Sequence, residues 1–306
     1  MPDYLTLALG VLLAAVGGEL FIRGAVGLAH WARVSPGIIA STVVAFATSS
    51  PELAISISSA LAGKPQISLG DALGSNVVNV ALILGSAVAI SGIQTPRRSL
   101  TRDFPVALLI PVITLVLLLD GVLSRIDGCL LIGMFTTWLI AVIIEARKQR
   151  SSADKILEEQ RGMLAAMFSI AGLAFLIAAG RLVVNGAKGI AIAFGLDEFT
   201  IGATVVAVGT SVPEIATTII AKLRGHDEVG VGTILGSNIF NGLLIVGVAA
   251  IIHPIAVGWR EVAGVLIFGM LAVALTFPNG HGFIERRRGP LLLALYAAFL
   301  ITVLQR

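Results

Sequence analysis

The sequence predicts an all-α polytopic membrane protein, with ten transmembrane helices arranged as two inverted five-helix repeats. Three observations carry that prediction. Of 306 residues, 57% are hydrophobic and only 13% charged, and the mean hydropathy is +0.98, more apolar character than a soluble fold of this length needs. The apolar residues fall into runs of membrane-spanning length. The two halves of the chain repeat each other in a single register.

The runs lie at 4–30, 36–62, 68–92, 104–121, 126–146, 162–194, 198–222, 228–254, 260–277 and 289–304, each above or close to the roughly 17 residues that a spanning helix requires. The opening "MPDYLTLALGVLLAAVGGE" has an acid and no cation ahead of its apolar stretch, so it reads as a first span rather than a cleaved leader. Residues 1–147 form the first five-helix repeat, 148–161 a linker too short to be a domain, and 162–306 the second repeat.

Alternate loops collect Arg33, then Arg97, Arg98 and Arg102, then Arg147, Lys148, Arg150, Lys155 and Arg161, then Lys222 and Arg224, then Arg286, Arg287 and Arg288. The opposite loops and ends hold only Lys64, Arg125, Arg260 and Arg306. The positive-inside rule places both termini outside a plasma membrane and the central linker in the cytoplasm. The net charge of +3 is therefore membrane-orienting, and no nucleic-acid partner is expected. The lone Cys129 lies in an apolar run, allows no intrachain disulfide and reads as a small buried filler.

The repeat is explicit. "VVAFATSSPEL" at 43–53 matches "VVAVGTSVPEI" at 205–215, and "LGSNVVN" at 73–79 matches "LGSNIFN" at 235–241, both at an offset of 162. An odd number of spans separates the copies, so one half lies upside down relative to the other. Inverted repeats mark secondary transporters that bind substrate at the midplane between the halves.

Glu52 and Glu214 fall near the middle of their spans at matching positions. A charge at that depth costs about 2.5–3.5 kcal/mol, so its default reading is functional. The competing reading is a buried salt bridge, for which Arg23 and Arg181 are candidates; neither recurs at the repeat offset. Pro51 and Pro213, one residue earlier, lack an N–H and must open each helix. That frees carbonyls around Ala45–Thr48 and Ala207–Thr210, tolerated at membrane depth only where backbone is buried or lines a cavity. Ser75 with Asn79, and Ser237 with Asn241, are four apart and share a helix face. Gly74 and Gly236 permit close helix approach, and small-residue packing is the alternative for the serines. The ligand set is all oxygen, which fits a hard cation such as Ca2+ with its six to eight oxygen ligands, whereas Zn2+ or Cu would want His or Cys. His30, His226, His253 and His281 lie outside both motifs and read as loop or helix-end residues. Two carboxylates are neutralised by one divalent or two monovalent cations, so the loads compete for the same charge, as an antiporter requires; protons can join that competition.

The paired "TSSPE" and "TSVPE", each followed by "GSN" and a further Asn, resemble the two alpha-repeats of the sodium/calcium exchanger branch of the cation/Ca2+ antiporter superfamily. The resemblance covers both halves and implies Ca2+ exchanged for Na+ by alternating access, with the first and sixth helices sliding past the rest. It implies that Glu52 and Glu214, with the carbonyls of Thr48 and Thr210, ligate Ca2+. It assigns Ser49, Ser211, Ser75, Ser237, Ala45 and Ala207 to flanking Na+ sites and Asn79 and Asn241 to the middle. Asn241 is Asp in the potassium-dependent branch, so K+ co-transport is not expected. The proton-coupled members carry a "GNxxE" pattern that is missing here, and the short linker leaves no room for Ca2+-sensing domains. No cofactor is implied; the partners are inorganic cations and the bilayer, and a monomer suffices.

Ca2+/H+ antiport stays open beside Na+/Ca2+ antiport, and a cation channel is the alternative from another class. An enzyme is not expected, because neither HExxH nor GxSxG occurs. Glu19 and Arg23 read as an i,i+4 pair, Asp120–Gly121 and Asp127–Gly128 as turn chemistry, and "FIERRRG" as a cytoplasmic anchor.

Overall fold

The computed structural model describes residues 3–150, 159–193 and 207–304. Helix α1 (Asp3–Ala32) is followed by a broken span, α2 (Pro36–Thr48) and α3 (Ser50–Leu61), which meet at 44°. Then come α4 (Pro65–Ser91), β1 (Ile93–Gln94), α5 (Arg97–Leu117), β2 (Val122–Leu123) and α6 (Arg125–Arg150). The second half runs α7 (Glu159–Ala193), α8 (Ala207–Thr210), α9 (Val212–Leu223), α10 (Asp227–Ile252), β3 (Ile255–Ala256), α11 (Trp259–Leu275), β4 (Phe283–Ile284) and α12 (Arg288–Leu304). Among the described residues six helices are long and apolar enough to cross a membrane, and the bent α2/α3 pair adds a seventh. Helices α11 and α12 are shorter apolar helices.

The element order repeats at the sequence offset of 162, from α3 onto α9, α4 onto α10 and α5 onto α11. The strands show how the halves are related. β1 pairs antiparallel with β4, and β2 with β3. Helix α5 connects β1 to β2 through 21 residues, so the two ladders lie about 30 Å apart, at opposite ends of the bundle. Helix α4 ends at β1, whereas its repeat mate α10 ends at β3, on the far side; the mates therefore run in opposite directions. Side chains agree: Gln66 Nε2 at the start of α4 donates to Ala256 O (3.1 Å), and Gln94 N donates to Asp227 Oδ2 at the start of α10 (2.8 Å).

The core lies along α4 and α10. Nearly every described residue from Ser68 to Val88 and from Val229 to Val246 is buried, as expected of central helices enclosed by others. Helices α1 and α7 pack on each other through glycines: a Cβ at Gly172 would sit 2.5 Å from Phe21 N, and one at Gly24 would sit 2.4 Å from Ser169 N. The two backbones approach closely with no ridges to interlock.

Several expectations are refined. Helix α5 begins at Arg97 rather than residue 104. The polar run "RRSLTRD" is helical but lies outside the apolar window, and Pro96 precedes the first turn. Helices α6 and α7 extend into the expected linker, to Arg150 and from Glu159. Most of the linker and residues 194–206 of the expected seventh span lie outside the described residues. Cys129 is exposed rather than buried; it occupies the face of α6 that carries Ile126 and Leu130 outward, where apolar residues face lipid. Glu19 and Arg23 do pair, at 2.7 Å. Asp120 accepts from Val122 N (3.1 Å) and Asp127 from Ser124 N (2.8 Å), as turn residues do.

Candidate functional site

Both helix breaks are built alike. Ser49 N bonds Ala45 O (2.9 Å) and Leu53 N bonds Ser49 O (3.1 Å) across the first break; Ser211 N bonds Ala207 O (3.2 Å) and Ile215 N bonds Ser211 O (2.9 Å) across the second. Pro51 has no N–H for the Ala47 carbonyl, which the Ser50 hydroxyl takes instead (2.7 Å). The Ala45 and Ala207 carbonyls are engaged further by Thr48 Oγ1 (3.3 Å) and Thr210 Oγ1 (3.2 Å). Of the carbonyls expected to be free, these two are therefore already in use. The reason is that the break falls after Thr48 and Thr210, one residue past the last regular turn.

Glu52 and Glu214 occupy the first turns of α3 and α9. The positive end of each half-helix dipole stabilises its carboxylate, while the carbonyl ends of α2 and α8 favour a cation. Both acids are 1% exposed and lie within electrostatic reach of each other. Glu214 Oε1 accepts from Ser49 (3.2 Å) and Ser237 (3.2 Å), one serine from each half. Thr48 lies against Glu214, and Thr210 against Glu52, so each break serves the acid of the opposite half. Among the described residues neither acid pairs with a Lys or Arg. Arg23 is taken by Glu19, and Arg181 is exposed.

The remaining predicted residues are all buried. Glu52 Oε2, Glu214 Oε2, Ser75 Oγ, Ser211 Oγ, Asn79 Oδ1 and Asn241 Oδ1 have no hydrogen-bond partner. Asn241 Nδ2 is unpartnered as well; orphaned buried oxygens, two of them on carboxylates, favour a positively charged guest. No three His, Cys, Asp or Glu converge among the described residues, so hydroxyls, amides and carbonyls must complete any coordination shell, in keeping with a hard cation. Asn79 and Asn241 lie in widened π-helical segments, Val78–Leu84 and Phe240–Ile245, a distortion frequent at functional sites.

Sequence reasoning missed three residues. Asn76 Nδ2 bonds Asn238 O (3.3 Å) and Asn238 Nδ2 bonds Asn76 O (3.2 Å), a reciprocal clasp at the crossing of α4 and α10; Asn238 Oδ1 also accepts from Asn79 (3.1 Å). The third "GSN" letter was the available signal. Asp71, 4% exposed with Oδ1 unpartnered, lies one turn before Ser75. Its repeat mate is Thr233, so a search for matched acids passes over it.

A cavity of about 410 Å³ reaches the breaks, lined by Ser50, Pro51, Ile55, Arg181, Thr210 and Pro213. It lies between the broken helices and α7.

The comparisons with known proteins agree with this geometry. The sodium/calcium exchanger protein family matches residues 3–144 and 164–305, one segment in each half. The inner membrane protein YrbG of Escherichia coli (strain K12) is 36% identical over 257 residues, covering 81% of this chain and 79% of that protein. The sodium/calcium exchanger MaX1 of Methanosarcina acetivorans is 26% identical over 98% of both chains. A solved structure of the sodium-calcium exchanger NCX_Mj, soaked with Na+ and Sr2+, superposes with a TM-score of 0.83 at 29% identity, covering 98% of each chain. The chain is a multi-pass membrane transporter of the cation/Ca2+ antiport class, not an enzyme, and it belongs to the sodium/calcium exchanger protein family.

Proposed function

We propose that this protein exchanges Ca2+ for Na+ across the plasma membrane, binding both at the pair Glu52 and Glu214. The observation that carries the reading is the pairing of two buried carboxylates, supplied by oppositely directed half-helices, that no Lys or Arg neutralises among the described residues, with serines of both halves bonding Glu214. Glu52, Glu214, Thr48 and Thr210 hold Ca2+; Ser49, Ser211, Ser75 and Ser237 hold Na+, joined by the Ala45 and Ala207 carbonyls once the Thr48 and Thr210 hydroxyls release them; Asn79 and Asn241 line the middle. Na+ as counter-ion is supported by MaX1 and NCX_Mj, both named as sodium/calcium exchangers.

The charge count couples the ions. A site carrying two negative charges crosses a low-dielectric layer readily only when neutralised, by one Ca2+ or by monovalent ions, and the empty site stays behind. The α1/α7 pair, meeting through glycines, is the natural sliding element. In the orientation the positive-inside rule gives, with termini outside and linker inside, the cavity beside Pro51 and Thr210 lies on the exterior side of the breaks. The inner end is tied by Lys222, which bonds Gly92 O and Asp227.

Proteoliposomes given Na+, H+ and K+ gradients separately test the reading. Ca2+ accumulation driven by a Na+ gradient at clamped pH supports it. Movement only under a pH gradient makes the protein a Ca2+/H+ antiporter, and Ca2+ flux without any counter-ion makes it a channel.

A further inference from the structure

Along one face of α4 run Ser68, Asp71, Ser75 and Asn79, spaced by three or four residues so that they share a stripe. Ser68 touches Ser56 of α3. Ser75 and Asn79 belong to the candidate site, and Asp71 stands between. The equivalent stripe on α10 is Gly230, Thr233, Ser237 and Asn241, so the first half presents an acid where the second presents a hydroxyl. The two-fold relation of the halves does not explain that acid.

Asp71 is 4% exposed, its Oδ1 has no partner, and among the described residues no Lys or Arg neutralises it. Its carboxylate lies against the Thr210 hydroxyl and within electrostatic reach of both Glu52 and Glu214. A buried acid that repels two others, with no protein cation nearby, stays charged only where a guest cation offsets the cost, and otherwise holds a proton. The three carboxylates do not converge tightly enough to chelate one ion together. They are spread over neighbouring positions, an arrangement that suits several monovalent ions better than one divalent ion.

We infer that Asp71 is the carboxylate ligand of a monovalent-cation position beside the central pair, shared with the Thr210 hydroxyl, and that it sets the cation count of this exchanger. With Asp71 charged, the site carries three negative charges, which three monovalent cations neutralise; when Ca2+ occupies the central pair, a proton on Asp71 keeps the loaded site neutral. The assignment rests on the Ca2+ for Na+ reading, and the two are tested separately. Na+-driven Ca2+ uptake by the unaltered protein tests the reading; equilibrium binding of radiolabelled Na+ to the purified protein tests Asp71, whatever the counter-ion.

Asp71→Asn and Asp71→Glu are compared with the unaltered chain for Na+ binding and for Ca2+ binding. The expected result is that Asp71→Asn weakens Na+ binding about tenfold, equivalent to ~1.4 kcal/mol, and lowers the number of Na+ bound by one. Ca2+ affinity changes less, and Asp71→Glu restores Na+ binding. Should Asp71→Asn not yield folded protein, Asp71→Thr, which installs the side chain found at Thr233, replaces it with the same expectation. Unchanged Na+ affinity and count in the neutral variants overturns the assignment. So does an equal loss of Na+ and Ca2+ binding that Asp71→Glu does not recover, which would mark a structural role.

Discussion

Replacing Glu52 with Gln separates an ion ligand from a structural charge, because the two roles predict opposite effects on the ion-free protein. Glu52 is 1% exposed, its Oε2 has no partner, and no Lys or Arg pairs with it among the described residues. Gln keeps the shape and one oxygen but removes the charge, so ion-free Glu52→Gln should be at least as stable as the unaltered chain. Bound Ca2+ tells the other half. A unit charge 4 Å from a carboxylate at an effective dielectric of 20 gains about 4 kcal/mol, and taking one partner from a buried pair costs about 3–5 kcal/mol. The upper and lower ends of that range correspond to an affinity loss of roughly 150- to 4,000-fold.

At a Ca2+ concentration one hundred times its dissociation constant, binding stabilises the unaltered protein by about 2.7 kcal/mol, and a hundredfold loss of affinity reduces this to about 0.4 kcal/mol. Thermal unfolding in detergent, followed by the fluorescence of Trp31, Trp138 and Trp259, reads both quantities. The predicted outcome is an unchanged or raised melting temperature without Ca2+ and a Ca2+-induced shift that all but disappears. A variant that melts well below the unaltered protein without Ca2+ yet keeps its Ca2+ shift would refute the reasoning and restore the salt-bridge reading.

Other substitutions probe the frame. Asn238→Ala loses a donor and the acceptor of Asn79, whereas Asn76→Ala loses one donor. At about 0.6–1.7 kcal/mol per buried bond between membrane helices, thermal melting should rank Asn238→Ala below Asn76→Ala. Gly172→Ala drives a methyl to 2.5 Å from Phe21 N and should cost about 1–3 kcal/mol by overpacking and slow exchange. Gly133→Ala, with nothing within 4 Å, should leave melting and flux as they were. Arg102 holds Asp103 at 2.7 Å and Glu145 at 2.7 Å, and the Asp103 side chain is fully buried. Arg102→Ala takes the cation from that acid, which keeps its bond from Trp138 Nε1 (3.0 Å), and should destabilise the protein by about 3 kcal/mol, far more than Arg287→Ala at an exposed pair.

Much of the architecture was legible because hydropathy and the repeat report different things that agree. Apolar runs locate helices, and the repeat offset assigns each a mate. The edges that escaped are those where helix and membrane part company. The first turns of α5 are polar and helical, and hydropathy registers only the apolar remainder. Cys129 was misplaced for a related reason. In a bilayer an apolar run has a lipid face and a buried face alike, so composition cannot say which way a thiol points.

At the site, Pro51 and Glu52 were readable because proline and a midplane acid each have a strong local consequence, and their duplication removes chance. What each break does was not. The structure commits the Ala45 and Ala207 carbonyls to local hydroxyls and turns each threonine toward the opposite acid, a matter of how two helices cross. The same reliance on duplication hid Asp71. Its mate Thr233 carries no charge, and its place beside Thr210 exists only once α4 is folded against the second break.

The central claim is that two inverted halves build one shared cation site. Counting Ca2+ bound to the purified protein at saturation tests it most directly, with Glu52→Gln and Glu214→Gln measured alongside. One Ca2+ per chain, lost on either substitution, is the predicted result. Two Ca2+ per chain, with each substitution removing one and sparing the other, would show that each half holds its own ion and would contradict the account.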